Sequence, residues 1–187
     1  GAPAEVVFNS IFRLQLLAAH RIGPGGVHEL NQQVEKQLAL RGLLRPGDTW
    51  YPGRPVLVTR NDYNLRLFNG DIGVVLPDPD QPERLKAVFA QSEGGWRAIS
   101  PGRLPEHETA YAMTVHKSQG SEFNCVIMVL PERASLLLSR ALLYTAITRA
   151  TDRLEIWGST EILEEAIRCR VRRASGLRDR LCSVGVT

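Results

Sequence analysis

The stretch YAMTVHKSQGSEF, residues 111–123, holds the densest group of side chains able to do chemistry. Thr114, His116 and Lys117 carry donors of the kind that bind phosphate oxygens. A lone histidine in a loop is more often a satisfied polar residue than a ligand-binding one. Both interpretations stay open on residue type alone, although loops at strand ends carry functional sites unusually often.

The end of the same stretch adds Gly120 and Glu122. Glycine lets a ligand approach the backbone closely because it has no Cβ atom. Glu122 could accept hydrogen bonds from sugar hydroxyls, and it could equally cap the next element. The stretch is therefore typical of a ligand-binding loop without defining the ligand.

Arg149 stands at the end of a predicted helix, in the sequence YTAITRA. An arginine in this position commonly donates to the last carbonyl groups of its helix. The alternative is an arginine finger, whose guanidinium stabilises the charge of a transferring γ-phosphoryl group. The spacing does not choose between the two roles.

Other kinds of site lack the residues they need. No serine, histidine and aspartate set surrounds a nucleophile elbow. No histidine, cysteine or carboxylate cluster has metal-ligand spacing, so no metal site is expected. His20, His28 and His107 carry no partner pattern and are expected on surfaces or in turns.

Composition leaves the partner undecided. The chain has 187 residues and a formal net charge of +3, which is compatible with nucleic acid without requiring it. No apolar run approaches the roughly 18 residues that span a bilayer, so no membrane partner is expected. Cys125, Cys169 and Cys182 are expected to be reduced thiols of a cytosolic protein. The chain does not begin with methionine and is expected to be a fragment.

The first part of the chain predicts two helices. In the segment SIFRLQLLAAHRIG, Ile11, Leu14, Leu17 and Ala18 fall on one helical face, with Ser10 as a plausible cap. GPGG then predicts a turn, and a second helix follows from residue 27 until Gly42 ends it.

Residues 50–105 predict a different architecture. The runs RPVLVTRN, GDIGVVL, RLKAVFAQ and GWRAIS are short and β-prone, and turn clusters separate them. This pattern favours a small antiparallel barrel. Core packing is expected to explain most of the aromatic residues near it, which are Trp50, Tyr51, Tyr63, Phe68 and Trp96.

From residue 106 the pattern changes again. TAYAMTVH, CVIMVLP and DRLEIWG predict strands, whereas SRALLYTAITRA and STEILEEAIRCRVRR predict helices. Such alternation is typical of a parallel sheet with helices packed on it. Ligands of these sheets bind outside the carboxyl ends of the strands, so TVHKSQGSE is expected at that edge. The basic tail, residues 172–187, is expected to fray at its end.

Two motifs together resemble a known family. AMTVHKSQGSEF is similar to motif V of superfamily 1 DNA helicases, and LLYTAITRATDRLEIWG is similar to their motif VI. RPVLVTRNDYNLRLFNGDIGVV and GRLPEHETAYAMTVHKSQGSEF resemble the RecD branch, the alpha subunit of exonuclease V. The resemblance extends from about Phe12 to Leu181.

The resemblance implies an α/β fold, namely a RecA-like (P-loop NTPase-type) second motor domain with an inserted SH3-like β-barrel. Residues 1–49 and 106–187 would form the RecA-like domain 2A, and residues 50–105 the barrel 2B. The first RecA-like domain of the family carries the phosphate-binding loop and the acidic pair for Mg²⁺. The pattern Gly-x-x-x-x-Gly-Lys-Ser/Thr does not occur in this sequence.

The resemblance also implies roles for individual residues. Gly120 and Glu122 would meet the nucleotide, Glu122 at its ribose, and Arg149 would be the arginine finger. Thr114, His116 and Lys117 would face the DNA backbone or couple it to the nucleotide. Arg60 and Asn61 lie in a stretch that could contact DNA, whereas Asn69 is favoured as a turn residue.

The implied function is the C-terminal part of an ATP-dependent 5′-to-3′ DNA helicase subunit in double-strand break repair, located in the cytoplasm. Its cofactor would be ATP with Mg²⁺. Its partners would be single-stranded DNA, its own N-terminal RecA-like domain, and the beta and gamma subunits of exonuclease V. The fragment alone would be inactive. The alternative is a non-catalytic DNA- or partner-binding module with a degenerate nucleotide site.

Overall fold

The structure, a computed structural model, describes residues 4–45, 47–91, 93–133, 135 and 137–170. Its helices are α1 (Ala4–Ile11), α2 (Val27–Leu40), α3 (Arg140–Ile147) and α4 (Thr160–Arg168), and a 3₁₀ turn covers Pro101–Arg103. Its strands are β1 (Leu14–Ala18), β2 (Pro55–Val58), β3 (Ile72–Pro77), β4 (Leu85–Ala90), β5 (Trp96–Ile99), β6 (His107–Thr109), β7 (Ala112–Thr114), β8 (Phe123–Val129) and β9 (Ala150–Trp157).

A four-stranded parallel sheet has the order β7-β1-β8-β9. In the inner strand β1, Leu16 pairs with Ala112 of β7 on one side and with Ile127 of β8 on the other. The predicted alternation of strands and helices from residue 106 onward is therefore confirmed, and so is the parallel sheet. The helical prediction for the part of the tail beyond residue 170 lies outside the described residues.

Apolar side chains from the parallel sheet and from the helices packed on it form one core. Leu17, Met113 and Val126 are completely buried, and the helical residues Leu143 and Ala146 pack against the same cluster. Burial of one such side chain stabilises the fold by roughly 1.5–3 kcal/mol relative to leaving it exposed.

The prediction of a helix over the segment that begins at Ser10 is wrong. The helix lies earlier, and Ser10 is inside it, where its hydroxyl donates to the carbonyl of Val6 at 2.7 Å. The following apolar run forms β1, whose residue Leu17 is fully buried. β1 is paired on both edges, and it buries residues of both faces, so its apolar residues do not alternate strictly and fit helical periodicity as well.

The second predicted helix is confirmed as α2, with Gly26 at its N-cap. GPGG is a turn as predicted, although it joins a strand rather than a helix to α2. Gly42 follows the helix with φ of +71°, a left-handed conformation that glycine adopts at little cost.

The second sheet is antiparallel, with the strand order β5-β4-β3-β2-β6. Its core consists of Val56, Val58, Val75 and Phe89, with Leu67 from the connection between β2 and β3. The four predicted β-prone runs form β2, β3, β4 and β5, so those strand predictions are confirmed. Closure into an SH3-like barrel and the boundaries 50–105 stay predictions.

β6 joins the second sheet by pairing with β2, and it leads directly into β7 of the parallel sheet. His107 begins this strand rather than lying in a turn, and its ring centroid is 5.1 Å from that of Trp50. The two sheets are thus joined by a chain segment with only Ala110 and Tyr111 between its strands.

Buried polar contacts hold this junction. The amide of Asn31, on α2, donates to the carbonyls of Thr109 at 2.9 Å and Ala112 at 3.1 Å, and its oxygen accepts from the amide of Ala112 at 2.9 Å. Gln15 donates similarly to the carbonyls of Ala110 and Tyr111. These side chains satisfy backbone groups at the point where the chain changes sheets.

A second polar group lies beside the junction. The hydroxyl of Tyr51 donates to Glu35 at 2.8 Å, and the guanidinium of Arg54 donates to the hydroxyl of Thr109 at 2.9 Å. Burial raises the pKa of Tyr51, with a further rise from the neighbouring Tyr111 and Glu35, and burial raises the pKa of Tyr111 as well. Both phenols therefore remain protonated through the neutral range.

In the part of the chain that the structure covers, no helix is long and apolar enough to cross a membrane. Cys125 and Cys169 are free thiols, and Cys182 lies outside the described residues.

We expect Asn31→Ala to lower the free energy of unfolding by about 1–3 kcal/mol, because backbone groups at the junction would lose their partners. Gln33→Ala, on an exposed position of the same helix, is the control and should change it by a few tenths of a kcal/mol. Urea unfolding followed by circular dichroism measures both. Equal losses for the two variants would contradict a specific role for Asn31.

Candidate functional site

The segment from Thr114 to Phe123 connects opposite edges of the parallel sheet. Thr114 ends β7 beside Ala18, the last residue of β1. Phe123 begins β8 near the start of β1, where Leu14 faces Cys125. The expectation that this whole segment lies at the carboxyl edge is therefore wrong for Gly120 and Glu122. They lie at the amino edge, because the chain must return there to begin another parallel strand.

Thr114, His116 and Lys117 lie at the carboxyl edge, where the chain turns sharply after β7. The carbonyl of Thr114 accepts from the amides of Lys117 at 3.0 Å and Ser118 at 3.2 Å. Ser118 is completely buried, and its hydroxyl donates to the carbonyl of Val115 at 2.8 Å. This turn leaves the side chain of His116 exposed to solvent.

Lys117 is held by an acidic partner that sequence reasoning missed. Its Nζ lies 3.0 Å from Oε1 of Glu108, and the other carboxylate oxygen lies 2.7 Å from Nη2 of Arg21. Arg21 follows β1, so it reaches the carboxyl edge only because that segment is a strand. Because the segment of β1 was predicted as a helix, the ion pair between Arg21 and Glu108 was not predicted.

Arg149 lies at the amino edge, against the neighbours of Gly120 and Glu122 in the chain. Nη1 of Arg149 donates to the carbonyl of Ser121 at 2.9 Å, and the carbonyl of Arg149 accepts from the amide of Phe123 at 2.9 Å. The guanidinium also donates to the carbonyl of Thr145 through Nε, which is the helix-end contact expected of such an arginine. Arg149 thus ties the end of α3 to the connection that carries Gly120.

The amino-edge group has the chemistry to hold a nucleotide. Gly120 has φ of +89° and open space where a Cβ atom would lie, so a ligand could approach the backbone there. Glu122 is exposed. Arg149 donates through Nε, Nη1 and Nη2, which leaves some of its five N–H groups for an anion. Among the residues that the structure describes, no three potential metal ligands gather.

Arg60 and Asn61 lie on a different part of the surface, in the connection between β2 and β3. Arg60 pairs with Glu106 at 3.2 Å, and both side chains are mostly exposed. The oxygen of Asn61 accepts from the amide of Asn69 at 2.8 Å, so its side chain shapes the loop. Asn69 is followed by Gly70 with φ of +105°, in agreement with its interpretation as a turn residue.

The same connection displays two aromatic rings. Tyr63 is 75% exposed and Phe68 is 46% exposed, and their ring centroids lie 6.1 Å apart in an edge-to-face arrangement. The expectation of core packing holds for Tyr51, which is buried, and is wrong for this pair. Trp96 is also partly exposed, at 37%.

Comparison of the sequence with known proteins gives related helicases. The family of UvrD-like helicase C-terminal domains matches residues 109–156. The chain is 46% identical over 182 residues to a protein from Mycobacterium tuberculosis named RecBCD enzyme subunit RecD, which covers 97% of this chain and 31% of that protein.

Two further relatives agree. A protein from Haemophilus influenzae with the same name is 41% identical over 175 residues, covering 92% of this chain and 25% of that protein. An ATP-dependent RecD2 DNA helicase from Deinococcus radiodurans is 36% identical over 177 residues, covering 90% of this chain and 23% of that protein. This chain therefore spans less than a third of the length of these relatives.

The fold is similar to those of solved helicases. Pif1 helicase from Bacteroides, in complex with ADP-AlF3 and ssDNA, matches with a TM-score of 0.54 at 16% identity, over 98% of this chain and 51% of that one. Pif1 helicase from Candida albicans matches with a TM-score of 0.54 at 14% identity, over 98% of this chain and 55% of that one. At these identities the likeness shows a helicase-like α/β fold with a parallel sheet.

We expect Gly120→Ala to lower the free energy of unfolding by about 1–2 kcal/mol, because a left-handed backbone is costly for any residue with a Cβ atom. Gly102→Ala is the matched control, since its Cβ would also meet no atom within 4 Å but its φ is not left-handed. Denaturant unfolding of both variants measures the difference. A negligible cost at position 120 would show that the backbone there relaxes freely.

Proposed function

We propose that this chain is the second motor domain of an ATP-dependent DNA helicase subunit. The chain is a homologue of RecBCD enzyme subunit RecD and contains a UvrD-like helicase C-terminal segment. The observation that carries the proposal is the connection between β7 and β8. It bears candidate phosphate-binding residues at one edge of the sheet and candidate nucleotide-binding residues at the other.

In this proposal residues 1–49 and 106–187 form a RecA-like domain, and residues 50–105 form an inserted SH3-like barrel. The parallel order β7-β1-β8-β9 supports the first assignment, and the antiparallel sheet supports the second. β6 pairs with β2, so the barrel would include residues just beyond its proposed boundary.

The amino-edge group would supply half of an ATP site. Arg149 would direct its guanidinium to the γ-phosphate, the carboxylate of Glu122 would accept from ribose hydroxyls, and Gly120 would let the ligand approach the backbone. ATP with Mg²⁺ supplies a cleavable phosphoanhydride bond when bound. An N-terminal RecA-like domain, preceding this chain in the full protein, would provide the phosphate-binding loop and the metal ligands.

The carboxyl-edge group would contact the DNA backbone. Thr114, His116 and Lys117 would donate to phosphates, so affinity should fall as salt concentration rises. Arg60 would add a further phosphate contact. Asn61, whose oxygen is occupied by Asn69, would contribute through its amide group or by shaping the loop.

Arg149 provides a physical link between these two groups. Its hydrogen bond to the carbonyl of Ser121 fixes the end of the same connection that carries His116 and Lys117. If Arg149 exchanged that bond for a contact of its Nη1 with the phosphate, the connection would loosen. Nucleotide state and grip on DNA would therefore be coupled through a short, continuous piece of backbone.

The full protein would move 5′ to 3′ on single-stranded DNA and act in double-strand break repair, together with the beta and gamma subunits of exonuclease V in the cytoplasm. The names of the relatives support the assembly, since they call those proteins subunits of the RecBCD enzyme. The free thiols of Cys125 and Cys169 support a reducing compartment.

One observation favours a second candidate, a DNA- or partner-binding module with a degenerate nucleotide site. The guanidinium of Arg149 already donates to the carbonyls of Thr145 and Ser121, and such contacts are sufficient reason for an arginine at a helix end. In that case Arg149 would stabilise the fold without acting on a nucleotide.

We expect Arg149→Ala, in the full-length protein, to lower DNA-stimulated ATP hydrolysis by about 10³-fold or more while ATP still binds. Arg153→Ala is the control, because Arg153 is an exposed arginine that pairs with Glu155 of the same strand at 2.8 Å. Turnover is measured with and without single-stranded DNA, and nucleotide binding is measured with a fluorescent ATP analogue. Unchanged turnover in Arg149→Ala would favour the binding module.

A companion measurement uses this chain alone. We expect no ATP hydrolysis above background, because the phosphate-binding loop is absent from its sequence. Robust turnover by the isolated chain would contradict the division of the site between two domains.

A further inference from the structure

Glu108 bridges two cations that come from separate parts of the parallel sheet. Its Oε2 lies 2.7 Å from Nη2 of Arg21, and its Oε1 lies 3.0 Å from Nζ of Lys117. Arg21 follows β1 and Lys117 follows β7, while Glu108 belongs to β6 of the antiparallel sheet. The Glu108 carboxylate, from the antiparallel sheet, thus pairs with two cations at the carboxyl edge of the parallel sheet.

The geometry of this bridge suits exchange with a phosphate. A phosphodiester presents two charged oxygens on one atom, as a carboxylate does, and arginine and lysine both bind such groups. Arg21 is 63% exposed at its side chain, so an anion from solvent can reach it directly. Lys117 and Glu108 are each 23% exposed, which makes them accessible but partly desolvated.

The surroundings offer room and little competing negative charge. A groove of about 630 Å³ runs beside the bridge, lined by Arg21, His28, Asn31 and Gln32 among others. His28 and Gln32 hydrogen-bond each other at 3.0 Å on its exposed wall. Its other acidic residue, Glu35, accepts from the hydroxyls of Tyr51 and Thr109 and so is directed toward the junction.

We propose that Arg21 and Lys117 form one subsite for a backbone phosphate of single-stranded DNA, and that Glu108 occupies it in the absence of DNA. The inference rests on the proposed function, because it assumes that the carboxyl edge binds DNA. It adds Arg21 to the contact residues and gives Glu108 an opposing role. Binding of a phosphate displaces the carboxylate, so Glu108 weakens the affinity for DNA.

Displacement of Glu108 also acts on the junction. The Glu108 carboxylate links β6 to the carboxyl edge of the parallel sheet by its ion pairs with Arg21 and Lys117. These ion pairs break when the phosphate binds. DNA binding then removes an ionic contact between the two sheets while the contacts of Asn31 remain. The expected consequence is a stronger grip on DNA with a looser connection to the antiparallel sheet.

The test is equilibrium binding of a fluorescent oligodeoxythymidylate to the full-length protein without nucleotide, over a range of salt concentrations. We expect Glu108→Gln to raise the affinity about two- to tenfold, since both cations lose a competitor. The slope of log K against log salt should steepen by about 0.7, the value for one neutralised phosphate on a single strand, because no displaced carboxylate takes up a cation from solution in the variant. Arg21→Ala should lower the affinity and make the slope shallower by a similar amount.

Glu155→Gln is the matched control. It makes the same change in net charge, and Glu155 also pairs with an exposed arginine, Arg153, at 2.8 Å. An equal rise in affinity for Glu155→Gln would attribute the effect to overall charge and overturn the inference. Unchanged affinity and slope in Glu108→Gln would also overturn it.

The outcomes separate this inference from the proposed function. If the wild-type protein fails to bind the oligonucleotide at every salt concentration, the proposed function fails with it. If the wild type binds and Lys117→Ala weakens binding, but Glu108→Gln does not strengthen it, the inference is overturned while the proposed function stands. Should Glu108→Gln fail to fold, Arg21→Ala decides, because an unchanged affinity in that variant removes the subsite.

Discussion

The two-sided pairing of β1 is the constraint on which the rest of the structure depends. This strand hydrogen-bonds β7 on one edge and β8 on the other, and its residues Gln15, Leu17 and Ala18 are buried. The pairing fixes where the chain emerges after Ala18 and where β8 must begin. It thereby sets both edges of the sheet and the distance that the connection from Thr114 to Phe123 has to cross.

Sequence reasoning was most successful where signals are local. Turn residues and β-prone runs identified the strands of the antiparallel sheet, and alternating elements identified the parallel one. β1 was mistaken for a helix because Leu14, Leu17 and Ala18 also lie on one helical face. Only the pairing with distant strands decides between the two structures, and the local periodicity of one segment does not reveal that pairing.

The site was predictable to a similar extent. Gly120, Glu122 and Arg149 belong to two short motifs, and the structure brings Arg149 against Ser121 and Phe123, which flank Glu122. Their place at the amino edge follows from the parallel direction of β8, but the whole stretch after β7 was expected at the carboxyl edge. Arg21 and Glu108 were missed entirely, since they are far apart in sequence and meet only through the correct assignment of β1. The buried amide of Asn31 has no sequence signal beyond being a polar residue in a helix.

The loop that carries Tyr63 and Phe68 is fixed by its own backbone. Asp62 accepts from the amides of Asn64 and Leu65, Asp71 accepts from the amide of Phe68, and Leu67 is buried beneath the loop. The backbone that carries the two rings is therefore held in place before any contact is made. Conformational entropy that a flexible loop would lose on association has already been lost in folding, so any surface meeting this pair meets a preorganised one.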